Sequence, residues 1–199
     1  MAIRLCFHYC FRPTQFKDLL ALRLFRKKRE AATEGGANSF DCAIYCEVAE
    51  KLGLFAEYVE KLVCRWIYDA PLKYLNYCSD KRLSSIIKKA RENGIITVTF
   101  SDYPTKDKLF ALQTEVDAQF SATDPEINAL KPEAKGLHTI LETMGIDAGQ
   151  CLMVGDRDDK DGECARRASI DYLILPPCRY ARKRAIQALR NMLFNESDS

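Results

Sequence analysis

The sequence lacks a long apolar run and a recognisable export signal. None of its hydrophobic stretches approaches the roughly 20 residues that a membrane-spanning helix needs. The start, residues 1–11, carries polar residues and has no small-residue cleavage site. Internal repeats and low-complexity linkers are also missing. We therefore predict a cytoplasmic globular protein with no membrane span.

The sequence also lacks a large excess of either positive or negative charge. The 199 residues include 30 Lys and Arg against 28 Asp and Glu, a net charge of +2. This near-neutral balance argues against a dedicated nucleic-acid-binding protein. Two basic runs, Arg23–Arg29 and Arg179–Arg190, are typical of solvated helix faces. An anionic substrate or a membrane surface is the alternative partner for them.

The nine cysteines contain no CxxC pair. Cys6 and Cys10 are four residues apart, as are Cys42 and Cys46, which is a helical spacing. The odd count and the absence of an export signal argue against a disulfide framework. We expect small, buried, apolar cysteines in a reducing cytosol, with a zinc site near His8 as the alternative.

Hydrophobic periodicity divides the chain into two regions. Apolar residues three or four apart predict helices in the first region, around Phe16–Leu24 and over Phe40–Ala70, with a transition at Pro71. From Leu83 onwards helices and strands alternate, which predicts an α/β fold with a doubly wound parallel sheet. We predict a helical subdomain at residues 1–76 and an α/β core at 77–199. The predicted core helices are Leu83–Glu92, Lys106–Leu112, Pro132–Met144, Gly162–Ala168 and Arg179–Leu193, and the predicted strands are Ile95–Phe100, Val116–Phe120, Cys151–Val154 and Asp171–Leu175.

An acidic loop follows the strand predicted at Cys151–Val154. Gly155 ends the apolar run, Asp156 follows it, and Asp161 comes five positions later. In an open α/β sheet, ligands bind beyond the carboxyl ends of the strands. Carboxylates grouped there suit a hard divalent cation such as Mg²⁺. Because Asp158 and Asp159 crowd the same loop, we also expect a cation to relieve their repulsion.

Two further side chains are expected at the same edge of the sheet. Ser101 ends the strand predicted at Ile95–Phe100, and Lys131 stands just before a helix. A hydroxyl, an ammonium group and a carboxylate-bound cation together suit a phosphoryl group, because they donate to its oxygens and offset its negative charge.

This order of motifs resembles the haloacid dehalogenase superfamily, most of whose members are magnesium-dependent phosphatases. The resemblance covers about Pro71 to Leu175. ITVTFSDYP is similar to the second motif of the family, LKPEAKGL to the third, and VGDRDDKDGECARRASI to the fourth. The resemblance implies that Ser101 and Lys131 are catalytic, phosphate-binding residues and that Asp156 is a metal ligand. Asp161 would either support the metal or orient Lys131.

Neighbouring residues are alternative candidates for some of these roles. Thr99 lies two residues before Ser101 on the same face of the strand, and Lys135 competes with Lys131. Asp102 follows the second motif, a position that argues against a nucleophile. His138 lies in a predicted helix without a partner Ser or Cys motif, so we interpret it as a surface or core histidine.

The first motif of the family is missing. It is a strand ending in DxD, whose first Asp forms an aspartyl-phosphate and whose second acts as general acid and base. Here the first acidic residue is Asp18, inside a helical pattern. The resemblance therefore implies a helical cap and a Rossmann-like core whose central first strand is absent, unless Ala2–Phe7 replaces it without a carboxylate.

Two interpretations follow from this absence. The chain is either a truncated hydrolase of small phosphorylated substrates, or a non-catalytic relative that binds a phosphorylated ligand or a protein. Both predict little phosphatase activity for the 199-residue chain alone. An open sheet edge would also favour pairing with a second copy, giving a homo-oligomer.

Overall fold

The computed structural model describes residues 16–31 and 40–194. The chain divides into two compact units, one ending at Cys78 and the other beginning at Ser79. We predicted a division after residue 76, and the role of the first unit as a cap stays a prediction. The expectations for Ala2–Phe7, and for Cys6, His8 and Cys10, lie outside the described residues.

The first unit is helical. Its elements are α1 (Phe16–Ala31), α2 (Phe40–Leu52), α3 (Ala56–Val63), a π-helical segment (Cys64–Asp69) and α4 (Ala70–Cys78). Apolar residues at helical spacing line one core, in which the rings of Phe25 and Tyr45 stack with centroids 5.4 Å apart. The buried members are Ala21, Leu22, Phe25, Ile44, Tyr45, Val48, Ala49, Val59, Leu62 and Val63.

The helical pattern predicted over Phe40–Ala70 is wrong in two respects. It is broken near Gly53, whose φ of +61° is a conformation that glycine adopts at little cost. The transition expected at Pro71 is also absent, since helix continues to Cys78. A π-turn precedes that proline, with the Ala70 N–H donating to Arg65 O, and Pro71 then stands in the first turn of α4, where its missing N–H is tolerated.

One residue of the first basic run is buried. We predicted solvated positions for Arg23–Arg29, yet Arg29 is only 2% exposed and forms an ion pair with Asp41, which also accepts a hydrogen bond from the Tyr68 hydroxyl. Arg29 extends the stripe of buried residues that includes Leu22 and Phe25. In the sequence, Arg29 occupies a position of the helical repeat that is otherwise apolar, and this was the signal of its burial that the sequence-based prediction missed.

The second unit alternates helices and strands, which confirms the α/β class. Its strands are β1 (Val98–Ser101), β2 (Ala118–Ser121), β3 (Leu152–Gly155) and β4 (Asp171–Ile174). Its helices are α5 (Lys81–Glu92), α6 (Lys106–Leu112), α7 (Lys135–Met144), α8 (Glu163–Arg167) and α9 (Arg179–Phe194), with a 3₁₀ turn at Ala148–Gln150 and a π-helical segment at Asp158–Gly162.

The described strands form two parallel pairs rather than one continuous sheet. β1 pairs with β2, placing Ser101 opposite Ser121, and β3 pairs with β4, placing Gly155 opposite Ile174. Both pairs nevertheless lie over one hydrophobic core, because Phe100 of β1, Phe120 of β2 and Met153 of β3 belong to the same cluster. Over residues 16–31 and 40–194, no strand joins β1 to β3.

The cysteine prediction is right for one residue and wrong for several. Cys164 is fully buried in the core of the second unit. Cys42, Cys46, Cys78 and Cys178 are exposed, because they lie on outward helix positions or near helix ends. All seven cysteines in the described ranges are free thiols. None of the described helices is both long enough and apolar enough to cross a membrane.

Candidate active site

The carboxyl end of β1 presents Ser101. Its Oγ accepts a hydrogen bond from the Tyr103 N–H at 3.2 Å, the local turn that a serine at a strand end often makes. Lys108 Nζ lies 3.5 Å from the same oxygen and 4.9 Å from the Tyr103 ring centroid. Ser101 is therefore fixed within a partly basic surrounding, which the sequence motif alone did not reveal.

Asp102, the next residue, positions Lys131. Its Oδ1 accepts the backbone N–H of Lys131 at 3.1 Å, which ties the end of β1 to the segment before α7. The Lys131 ammonium also lies 5.4 Å from the ring centroid of Phe100. Two neighbours of Ser101 thus hold Lys131 in place. Sequence reasoning set Asp102 aside as a nucleophile but assigned it no positive role.

Lys131 and Asp161 form a buried ion pair. Lys131 Nζ lies 2.6 Å from Asp161 Oδ1, and their side chains are 11% and 8% exposed. Burial raises the pKa of Asp161, but the Lys131 charge and the hydrogen bonds that Asp161 accepts outweigh it, so the pKa lies below its usual range. Of the two roles left open for Asp161, the geometry favours orienting Lys131.

The backbone of the acidic loop also donates hydrogen bonds to the Asp161 carboxylate. Asp161 Oδ2 accepts the N–H groups of Asp156 at 3.0 Å and Arg157 at 3.1 Å. Gly155 permits this close approach, since a Cβ there would overlap the Asp161 side chain. The glycine that ends β3 is therefore required by the packing of Asp161.

The other carboxylates of the loop point to solvent. Asp156, Asp158 and Asp159 are exposed. Asp159 pairs with Arg157 at 2.6 Å, and Asp158 pairs with the α8 residue Arg166 at 3.1 Å. The two arginines offset the repulsion that we expected a cation to relieve, so the crowding of carboxylates is no longer an argument for a metal ion.

The remaining carboxylates fit part of a Mg²⁺ site. Magnesium commonly binds one or two carboxylates and completes its sphere with water and substrate phosphate. Asp156 offers an exposed carboxylate at the carboxyl end of β3, with the buried Asp161 beside it. No cluster of three or more His, Cys, Asp or Glu suited to a metal occurs in the described part of the chain. The two aspartates could hold Mg²⁺ only together with other oxygen ligands.

The alternative candidates Lys135, His138 and Thr99, and the buried Cys164, do not take part in the hydrogen bonds described above. Lys135 is exposed at the start of α7, and His138 is exposed on the same helix. Cys164 donates its thiol to Glu133 O at 3.2 Å, and burial raises its pKa to about 12, so it stays protonated at neutral pH. Thr99 occupies β1 itself, two residues short of its end.

Three comparisons with known proteins bear on this geometry. Residues 80–169 match the model of the haloacid dehalogenase-like hydrolase family. No curated protein matches the chain. Among solved structures, a candidate phosphoglycolate phosphatase from Lactobacillus delbrueckii subsp. bulgaricus is similar, with 15% identity and a TM-score of 0.49. The alignment covers 72% of this chain and 66% of that one.

The matched segment contains all four candidate site residues, Ser101, Lys131, Asp156 and Asp161. Lys131 and Asp161 are joined by a hydrogen bond, and Ser101 and Asp156 lie at the carboxyl ends of β1 and β3. Residues 80–169 are therefore similar to the haloacid dehalogenase-like hydrolases.

Proposed function

We propose that this chain carries the phosphate- and Mg²⁺-binding half of a phosphate monoester hydrolase. One observation supports the proposal most strongly. Lys131 connects the end of β1, through Asp102, to the acidic loop after β3, through Asp161. Residues of three separate sequence motifs thus meet at one lysine, Asp102 at its backbone N–H and Asp161 at its ammonium group.

Each side chain has a distinct proposed role. The Ser101 hydroxyl donates to an oxygen of the phosphoryl group, and the Lys131 ammonium offsets its negative charge. Asp161 holds Lys131 in position. Asp156, with Asp161 beside it, would hold Mg²⁺, which supplies further charge stabilisation when bound.

The nucleophile is proposed to come from outside this constellation. In the complete protein an aspartate of a DxD strand would attack phosphorus and form an aspartyl-phosphate, which water then hydrolyses. The helical unit would serve as a substrate-selecting cap, and small phosphate monoesters would be the substrates.

A second candidate function is a non-catalytic module that binds a phosphorylated ligand or a partner protein. One observation favours it: both oxygens of Asp161 already accept hydrogen bonds, and the described residues contain no group of three or more His, Cys, Asp or Glu placed to hold a metal ion. Both functions share the phosphate contacts of Ser101 and Lys131. They differ only in turnover.

Turnover of p-nitrophenyl phosphate with Mg²⁺ tests the proposal. We expect little hydrolysis by the 199-residue chain. A chain extended by the in-frame sequence upstream of Met1 should hydrolyse the ester if that sequence ends in DxD. Replacing Lys131 by Met in the extended chain should lower kcat/KM at least about 100-fold, the scale of losing one charge-stabilising donor.

Robust turnover by the 199-residue chain would contradict the proposal that the nucleophile comes from outside this constellation. An extended chain that carries DxD but stays inactive, or full activity in the Lys131→Met variant, would count against the hydrolase. A stop codon directly upstream of Met1 would favour the binding module.

A further inference from the structure

Helices α5 and α9 form one layer of the second unit. Near their starts, Arg182 Nε lies 3.5 Å from Asp80 Oδ2, and near their ends Lys89 Nζ lies 4.4 Å from the Phe194 ring centroid. The two helices therefore run side by side in the same direction. Their apolar faces meet in one cluster that includes Ile86 and Ile186 and is joined by Leu173 of β4.

The outer face of this layer concentrates positive charge. The two helices together contain ten Lys and Arg and a single acidic residue, Glu92. That leaves 20 basic and 27 acidic residues for the rest of the chain, a net charge of −7. The near-neutral total hides this separation. The exposed basic residues of the layer are Lys81, Arg82, Lys88, Arg179, Lys183, Arg184 and Arg190.

We propose that this basic two-helix face binds the surface of an anionic lipid bilayer. Two parallel helices of 12 and 16 residues form a flat strip roughly 20 Å long. A flat strip matches a planar array of lipid phosphates, and basic clusters are attracted to anionic headgroups.

One exposed aromatic residue of α9 agrees with a bilayer partner. Tyr180 is 72% exposed and precedes Lys183 and Arg184 by three and four residues, so it lies on the same side of the helix. Tyrosine is enriched at the water–lipid interface because its ring is apolar and its hydroxyl stays hydrated. The face thus combines electrostatic attraction with a side chain that can enter the headgroup region.

Sedimentation with lipid vesicles tests the proposal on the full chain. We expect binding to phosphatidylcholine vesicles that contain 30% phosphatidylglycerol, and none to pure phosphatidylcholine. Binding should fall steeply between about 50 and 200 mM salt, because screening shortens the reach of surface charges. These measurements use only the unaltered chain, so they test the proposal even if a substituted variant fails to fold.

A charge-matched pair of variants locates the surface. The variant R179Q/K183Q/R184Q/R190Q should bind at least about 100-fold more weakly, since each basic residue near an anionic bilayer contributes roughly fivefold. The control R23Q/R26Q/K27Q/K61Q removes four exposed positive charges of the helical unit and should bind like the original chain.

Several results would overturn the proposal. They are no vesicle binding at low salt, equal binding to neutral vesicles, and equal losses in the two variants. Displacement from the vesicles by a small molar excess of duplex DNA would identify nucleic acid as the better partner, and that too would overturn it.

Discussion

Asp161 is the residue on which the geometry of the site depends. It receives one ammonium and two backbone N–H groups, and it lies against the glycine that ends β3. A buried carboxylate is stable only when its oxygens are satisfied in this way. The same contacts keep the ammonium of Lys131 at a fixed position beside the loop that follows β3.

The first prediction concerns the buried ion pair. Lys131→Met should lower the free energy of unfolding by about 3 kcal/mol, because it leaves the buried Asp161 charge uncompensated. Adding Asp161→Asn should recover part of that loss, since neither partner is then charged. Urea unfolding followed by circular dichroism measures both. Lys135→Met, at an exposed position, is the control, and a loss as large there would contradict the interpretation.

The second prediction concerns Gly155. Gly155→Ala should destabilise the protein by roughly 1–3 kcal/mol, because the new methyl group overlaps the Asp161 side chain. Gly149→Ala is a matched control, since nothing lies within 4 Å of a Cβ at that position. Thermal unfolding of the two variants gives the comparison. Equal stability of both would show that Asp161 can move aside without cost.

At the scale of elements, strong local patterns were predictive. Helix α6 has the bounds expected for it, Lys106–Leu112. The strand predicted at Ile95–Phe100 begins later, at Val98, because Ile95–Thr97 has no strand partner in the described pairs. The edge at which the site residues gather follows from parallel topology, which alternation of helices and strands indicates.

Other features had no local signal. The helix through Pro71 depends on a π-turn, which changes the hydrogen-bond pattern without a marked change in composition. The tie between Asp102 and the Lys131 backbone joins residues 29 positions apart. Contacts of that kind depend on how the chain folds back, so periodicity cannot show them.

The third prediction concerns the start of α5. Asp80 caps this helix by accepting the Arg82 N–H, and hydrogen bonds from the Arg82 side chain help to lower its pKa to about 2. A lowered pKa in the folded state stabilises the protein above the unfolded value near 4, and that stability is lost as pH falls towards 2. We expect a loss of roughly 1–2 kcal/mol over this range.

Asp80→Asn isolates this contribution. Asparagine still caps a helix but cannot titrate. The difference in unfolding free energy between the original chain and the variant should therefore shrink as pH falls from 5 to 3, as measured by urea unfolding. A difference that does not change with pH would show that Asp80 has no depressed pKa.

At the scale of the whole molecule, charge and chemistry are separated. Positive charge lies on the outer face of α5 and α9, while the residues that we propose to bind phosphate lie near the carboxyl ends of β1 and β3. The four described strands end as two pairs over a shared core, and Lys131 connects their ends through its backbone N–H, bonded to Asp102, and its ammonium, bonded to Asp161. We interpret this bridge as the centre of a phosphate site.

Calorimetric titration of the full chain with inorganic phosphate, in the presence of Mg²⁺, tests this interpretation most directly. We predict measurable binding, a loss of at least about tenfold in Ser101→Ala and Lys131→Met, and no change in Lys135→Met, because one charge-assisted hydrogen bond contributes about 1.5–3 kcal/mol. Circular dichroism on each variant verifies folding. Absence of phosphate binding, or equal binding by the Lys131→Met and Lys135→Met variants, would contradict the account.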